Sequence, residues 1–136
     1  MTVESGVFTL LSSSDALATA AGVLLADLPS HVIRSGAVID PPVPFLAIRW
    51  EEPAMTGRLG AYGLTLRAHD RDLSYDRISA MLNAAKKVLT AVVHQQGITQ
   101  VDWRGRSPDL ADDGYKTLTR FDTYVVLGGM ATREEV

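Results

Sequence analysis

Tyr62-Gly63-Leu64-Thr65-Leu66-Arg67-Ala68-His69 runs through Asp70-Arg71-Asp72-Leu73-Ser74 into Ile78, Met81, Leu82, Ala85, Val88, Leu89 and Val92, and the change of period inside this stretch decides the fold class. In the first part Tyr62, Leu64, Leu66 and Ala68 alternate with Gly63, Thr65, Arg67 and His69, the two-residue period of a strand with one buried face. In the second part apolar residues recur at three- and four-residue steps. The spacing therefore predicts a long helix, opened by Asp72 or Ser74 and stopped at Gly97. Arg77, Asn83, Lys86, Lys87 and Thr90 fall on its solvated side.

Upstream, Phe45-Leu46-Ala47-Ile48-Arg49-Trp50 is a short apolar run with strand character, and the turn-prone residues from Glu52 to Gly60 make a hairpin with the strand at 62–69. Asp40-Pro41-Pro42-Val43-Pro44 cannot sit inside a helix or a central strand, because proline lacks a donor and fixes φ. It reads as an extended connector. Before it, Leu17, Ala20, Ala21, Leu24, Leu25 and Leu28 predict an amphipathic helix over about 12–28, with Ser13, Ser14 or Asp15 as its cap and Pro29 as its stop.

Downstream, Ile98–Arg104 and Thr117–Leu127 read as two strands joined by a polar loop from Gly105 to Gly114. In the last strand Phe121, Val125 and Leu127 share one face, and Arg120, Asp122, Tyr124 and Val126 the other. The face with Tyr124 and Val126 needs a cover, either a helix of its own chain or a neighbouring subunit. The sum is an α+β domain, with a mixed or antiparallel sheet of about four strands in two hairpins packed against two main helices. One domain spans 1–136, with 1–10 and 129–136 as loosely held ends.

The 136 residues are 46% hydrophobic and 21% charged, enough for one ordinary core without metals or crosslinks. The formal charge of -3 gives no general attraction to nucleic-acid phosphates or anionic lipid. The chain has no cysteine, which removes disulfides, thiolate ligands and a cysteine nucleophile. The residues Met1 to Gly6 lack a basic export region, and no apolar run nears the ~18 residues of a membrane span. A soluble, unexported protein with no membrane association is expected.

Few residues invite chemistry. His31, His69 and His94 have no second histidine at metal-ligand spacing. His69-Asp70-Arg71-Asp72 is the best cluster for a divalent ion or an activated water, and would make a small metal-dependent hydrolase. The same residues serve equally as the polar end of a strand and the cap of a helix. Asp109, Asp112, Asp113 and Gly114 lack the alternation and the distal glutamate of a calcium loop. No Gly-x-Ser-x-Gly elbow occurs, and Gly57, Gly60 and Gly63 do not form a phosphate loop opening a helix. Trp50, Trp103, Tyr62 and Phe121 read as core rather than a base-stacking platform. No catalytic residue, cofactor or metal site is assigned.

Phe45 to Glu51, the strand Leu64 to Asp70 leading through Ser74-Tyr75-Asp76-Arg77-Ile78 into the long helix, and Asp109 to Tyr115 followed by Thr117-Leu118-Thr119-Arg120 resemble the tail terminator proteins of siphophages, above all those of actinobacterial phages. The likeness covers most of residues 45–127. It implies a non-enzymatic virion protein at the head-proximal end of the tail, assembled in the host cytoplasm. Such a protein forms a homo-hexameric ring that caps the tail tube, stops its polymerisation and presents a head-joining surface. Its partners would be the major tail tube protein and a head-completion or neck protein, with phage DNA passing through the lumen without specific binding. A related head-tail connector of the neck is the neighbouring alternative. A ring needs two different patches on each subunit, and the hairpin strands and acidic loop are the candidates: Asp109, Asp112, Asp113, Arg120 and Tyr124. Repeated around a ring, the three aspartates would make a rim or lumen that repels phosphate.

Overall fold

Val3, Gly6, Val7 and Leu11 recur at helical steps and are all buried, which makes the first ordered element a helix, α1 (Val3–Ser12). Where a loosely held end over 1–10 was expected, the chain is helical from Val3 onward. Gly6 is what lets α1 pass the chain: a Cβ at this position would collide with the Gln96 carbonyl. The computed structural model describes residues 3–34, 41–51, 60–71, 74–112 and 116–128.

The helix expected over 12–28 is broken into two. Ser14 accepts a hydrogen bond from the Leu17 amide and opens α2 (Asp15–Ala21). Gly22, at φ 76°, closes it: its own amide bonds the Thr19 carbonyl and the Val23 amide that of Ala18, the glycine-terminated ending of many helices. A 3-10 helix follows at Leu25–His31, so the apolar stripe loses its phase. Leu17, Ala21 and Leu28 are buried, but Leu24 and Leu25 turn outward, with 72% and 42% of their surface exposed.

The sheet is larger than four strands. It contains β1 (Val32–Arg34), β2 (Phe45–Glu51), β3 (Ala61–Asp70), β4 (Val93–Gln95), β5 (Ile98–Arg106), β6 (Leu110–Asp112) and β7 (Thr117–Gly128), in the order β1-β2-β3-β7-β5-β4, with β6 on the same side of β7 as β5. β1 pairs with β2 in parallel and every other pairing is antiparallel, so the sheet is mixed and the α+β class holds. The hairpins of the sequence reading survive as β2–β3 and as β5 and β6 against β7. Within the loop expected from Gly105 to Gly114, Gly105-Arg106 and Leu110–Asp112 are strand, separated by Ser107-Pro108-Asp109, where the Ser107 amide still bonds the Phe121 carbonyl, and Asp113 and Gly114 lie outside the described residues.

The long helix, α3 (Asp76–Thr90), ends earlier than Gly97 because Val93–Gln95 turns back as β4 against β5. It buries Ile78, Met81, Leu82, Ala84, Ala85 and Leu89. Against them the sheet sets Leu46, Ile48, Leu64, Leu66, Ala68, Val101, Tyr124 and Val126 in one core that also takes the apolar sides of α1 and α2. The face with Tyr124 and Val126 is thus covered by the chain's own helices. Across the sheet, Thr65, Arg67, Phe121, Thr123, Val125 and Leu127 are half-buried on the opposite face.

Candidate assembly surface

Register places the polar residues before any side chain is considered, because residues opposite each other on paired strands share a face. Ala68 stands opposite Arg120 and Leu66 opposite Asp122, so Arg120 and Asp122 lie on the helix side of the sheet, as does Asp70. The three meet different partners there.

Asp122 is 0% exposed and receives Arg106 through both oxygens, Nε to Oδ1 at 2.6 Å and Nη2 to Oδ2 at 2.9 Å, while the Trp103 indole N–H donates to Oδ2 at 3.2 Å. Two nitrogens of one planar guanidinium on one carboxylate fix orientation as well as charge. The hydrogen bond to Asp122 raises the Arg106 pKa. Lys86 lies over the Trp103 ring, 3.7 Å from its centre, and so ties α3 to the same cluster.

Arg120 makes a second cluster nearer the surface. Its Nε meets Asp109 at 2.5 Å and its Nη1 donates to Ser79 Oγ on α3 at 2.7 Å. Tyr75 donates its hydroxyl proton to the Leu110 carbonyl at 2.7 Å, holding β6 to the start of α3. A third pair joins Asp70 to Arg77 at 2.8 Å, and Arg77 reaches on to the Ala21 carbonyl at the end of α2.

On the opposite face His69 is buried, stacked on Phe45 with ring centres 4.4 Å apart, and its Nδ1 lies 2.8 Å from Thr117 Oγ1. Burial lowers its pKa to about 4, with Asp112 pulling it upward and Arg67 pushing it down. At neutral pH it is an uncharged packing residue.

The residues proposed from sequence thus separate. Asp109 and Arg120 are brought together as an ion pair, and Asp112 lies on β6 within electrostatic reach of His69. Asp113 lies outside the described residues. Tyr124 is 1% exposed, its hydroxyl buried without a hydrogen-bond partner among the described residues and its pKa raised by that burial, so it belongs to the core and not to a contact surface. In the His69–Asp72 cluster, His69 and Asp70 point to opposite faces of the sheet and Asp72 is outside the described residues. Among the described residues, no group of three or more His, Cys, Asp or Glu could hold a metal ion. Sequence reasoning missed Arg106 and Asp122 as partners, since sixteen positions separate them and only the hairpin register joins them.

No protein-family model and no curated protein matches the chain. Among solved structures, a chain of the "Virion of native gene transfer agent (GTA) particle" has a similar fold, with a TM-score of 0.69 at 11% identity, over 93% of this chain and 94% of that one. At this identity the likeness is one of fold.

Proposed function

We propose that this chain is a structural protein of a phage-like particle, which forms a hexameric ring on the end of a tail tube, terminates tube growth and offers the surface on which the head is joined. The observation that carries the reading is the fold shared with a gene transfer agent virion chain across nearly the whole of both molecules. The resemblance of Phe45–Glu51, Leu64–Ile78 and Asp109–Arg120 to tail terminators narrows it from virion protein to terminator.

The disposition of the ionisable groups supports a role without catalysis. Asp70, Asp109 and Asp122 are each held by an arginine, and His69 is held neutral by burial. A general acid or base needs instead an accessible group poised near the working pH. The tube protein and a head-completion protein are the partners this role requires, and DNA would pass through the ring without specific contacts.

The test is to add the purified protein to growing tail tubes and image tube ends and lengths by negative stain. Caps on tube ends with elongation halted would support the terminator role. Tubes that lengthen unaltered while the protein binds head or neck assemblies would replace it with the connector role.

A further inference from the structure

The two ends of α3 present different surfaces. At its first turn, Arg77 bonds the Ala21 carbonyl and so fixes the end of α2 there, where the chain leaves Gly22 and exposes Leu24 and Leu25. Asp27, whose amide bonds the Leu24 carbonyl, and Asp76 in the first turn of α3 are both exposed. Arg77 adds little positive charge there because it is paired with Asp70. This end is an apolar knob with an acidic border.

Toward its last turn, α3 and α2 border an open groove of about 580 Å³ lined by Ala16, Asn83, Ala84, Lys86, Lys87 and Thr90. Ala16 and Ala84 give it apolar lining, and Lys86 and Lys87 give it positive charge. Lys86 is held in place over Trp103, while Lys87 makes no hydrogen bond or ion pair among the described residues. Only three lysines occur in the chain, Lys86, Lys87 and Lys116, so two of them border this one groove in a protein of net charge -3.

We propose that the groove of one copy receives the Leu24–Leu25 knob of the next, with Asp27 and Asp76 facing Lys86 and Lys87. The occupant is a second copy of this chain, because the knob supplies both the apolar tip and the acidic border that the groove lacks. Thr90, at the far end of the groove, lies on the order of 20 Å from the knob's anchor at Arg77, at about 1.5 Å per residue along α3. Repeated from copy to copy this contact runs head-to-tail, as the ring reading requires, whereas reciprocal docking of both patches would give a two-fold dimer and no ladder of higher multimers. The inference rests on the ring reading above and assigns its subunit contact.

The absence of cysteine allows a direct test. Leu24→Cys and Thr90→Cys are introduced singly and together, and the proteins are mildly oxidised on tail-tube ends. The double variant is expected to give a ladder of crosslinked multimers and each single variant none, since the two sites are too far apart to bridge within one copy. Lys87→Glu is expected to weaken ring formation at least tenfold, and adding Asp27→Lys is expected to restore it, with unchanged melting temperatures showing intact folds. Dimers from Leu24→Cys alone, or tubes capped by a double variant that gives no ladder, would overturn the contact and leave the ring reading standing. Wild-type protein that neither self-associates nor caps tubes would overturn both.

Discussion

Two arginine–carboxylate pairs hold the same hairpin at different depths, and the contrast shows what each contributes. Arg106–Asp122 sits where β5 meets β7 with a carboxylate 0% exposed, and the Trp103 N–H completes its hydrogen bonding. Arg120–Asp109 joins β7 to the residue just before β6, with side chains 25% and 50% exposed. The residue types are the same, but the deeper pair is bidentate and the surroundings differ. A buried charge left without its partner cannot be rehydrated, whereas an exposed one exchanges its partner for water at little cost. The first pair is thus part of the fold, and the second is a latch on a surface segment.

Breaking the deeper pair should have the largest effect. Arg106→Ala, which strands the Asp122 carboxylate, should lower unfolding free energy by about 3–5 kcal/mol in denaturant titrations. A loss below about 1 kcal/mol would remove the distinction between the two pairs. Next comes His69. Its pKa is about 4 in the fold against an ordinary value of 6.5, so the unfolded chain takes up a proton first as pH falls. Stability should therefore decline from about pH 6.5 down to about pH 4, by on the order of 3 kcal/mol, and level off below that for this group. Comparing stability curves of wild type and His69→Gln isolates the term, since the variant should lack that part of the slope.

The shallow pair should respond weakly. Asp109→Ala is expected to cost about 1 kcal/mol or less by the same titration. The smallest effect belongs to Tyr124, whose hydroxyl lies unpaired in the core close to Asp122. Tyr124→Phe removes a buried group that has no partner among the described residues, so stability should stay level or rise by up to about 1 kcal/mol. A clear loss would mean that the hydroxyl is bonded in solution.

The legible parts of the fold were those whose pattern is long enough to repeat. β2, β3, β7 and α3 each carry a run of residues at a steady two- or three-to-four-residue period, and each appears within a few residues of its expected bounds, apart from the early end of α3. β1, β4 and β6 are three residues long, too short for a period, and exist because a neighbouring strand supplies their hydrogen bonds. α1 was not read from sequence, and its Gly6 marks a close approach of two backbones rather than a break. The helix over 12–28 went wrong at Gly22, where one left-handed residue resets the phase and turns Leu24 and Leu25 from core to surface.

The site was less legible for a related reason. The acidic loop could be seen, but Asp109 finds Arg120 and Asp122 finds Arg106 only through the register of β5, β6 and β7, which composition does not encode. Nor does sequence give depth. Tyr124 alternates with surface residues as any half-buried strand residue would, yet it lies beneath the helix layer.

The measurement that bears most directly on the account is the mass of the purified protein, by light scattering, alone and after mixing with short tail tubes. The account predicts a six-protomer species, either free or bound as a cap at tube ends that no longer elongate. A protein that stays at one protomer mass and leaves the tubes bare and growing would contradict it.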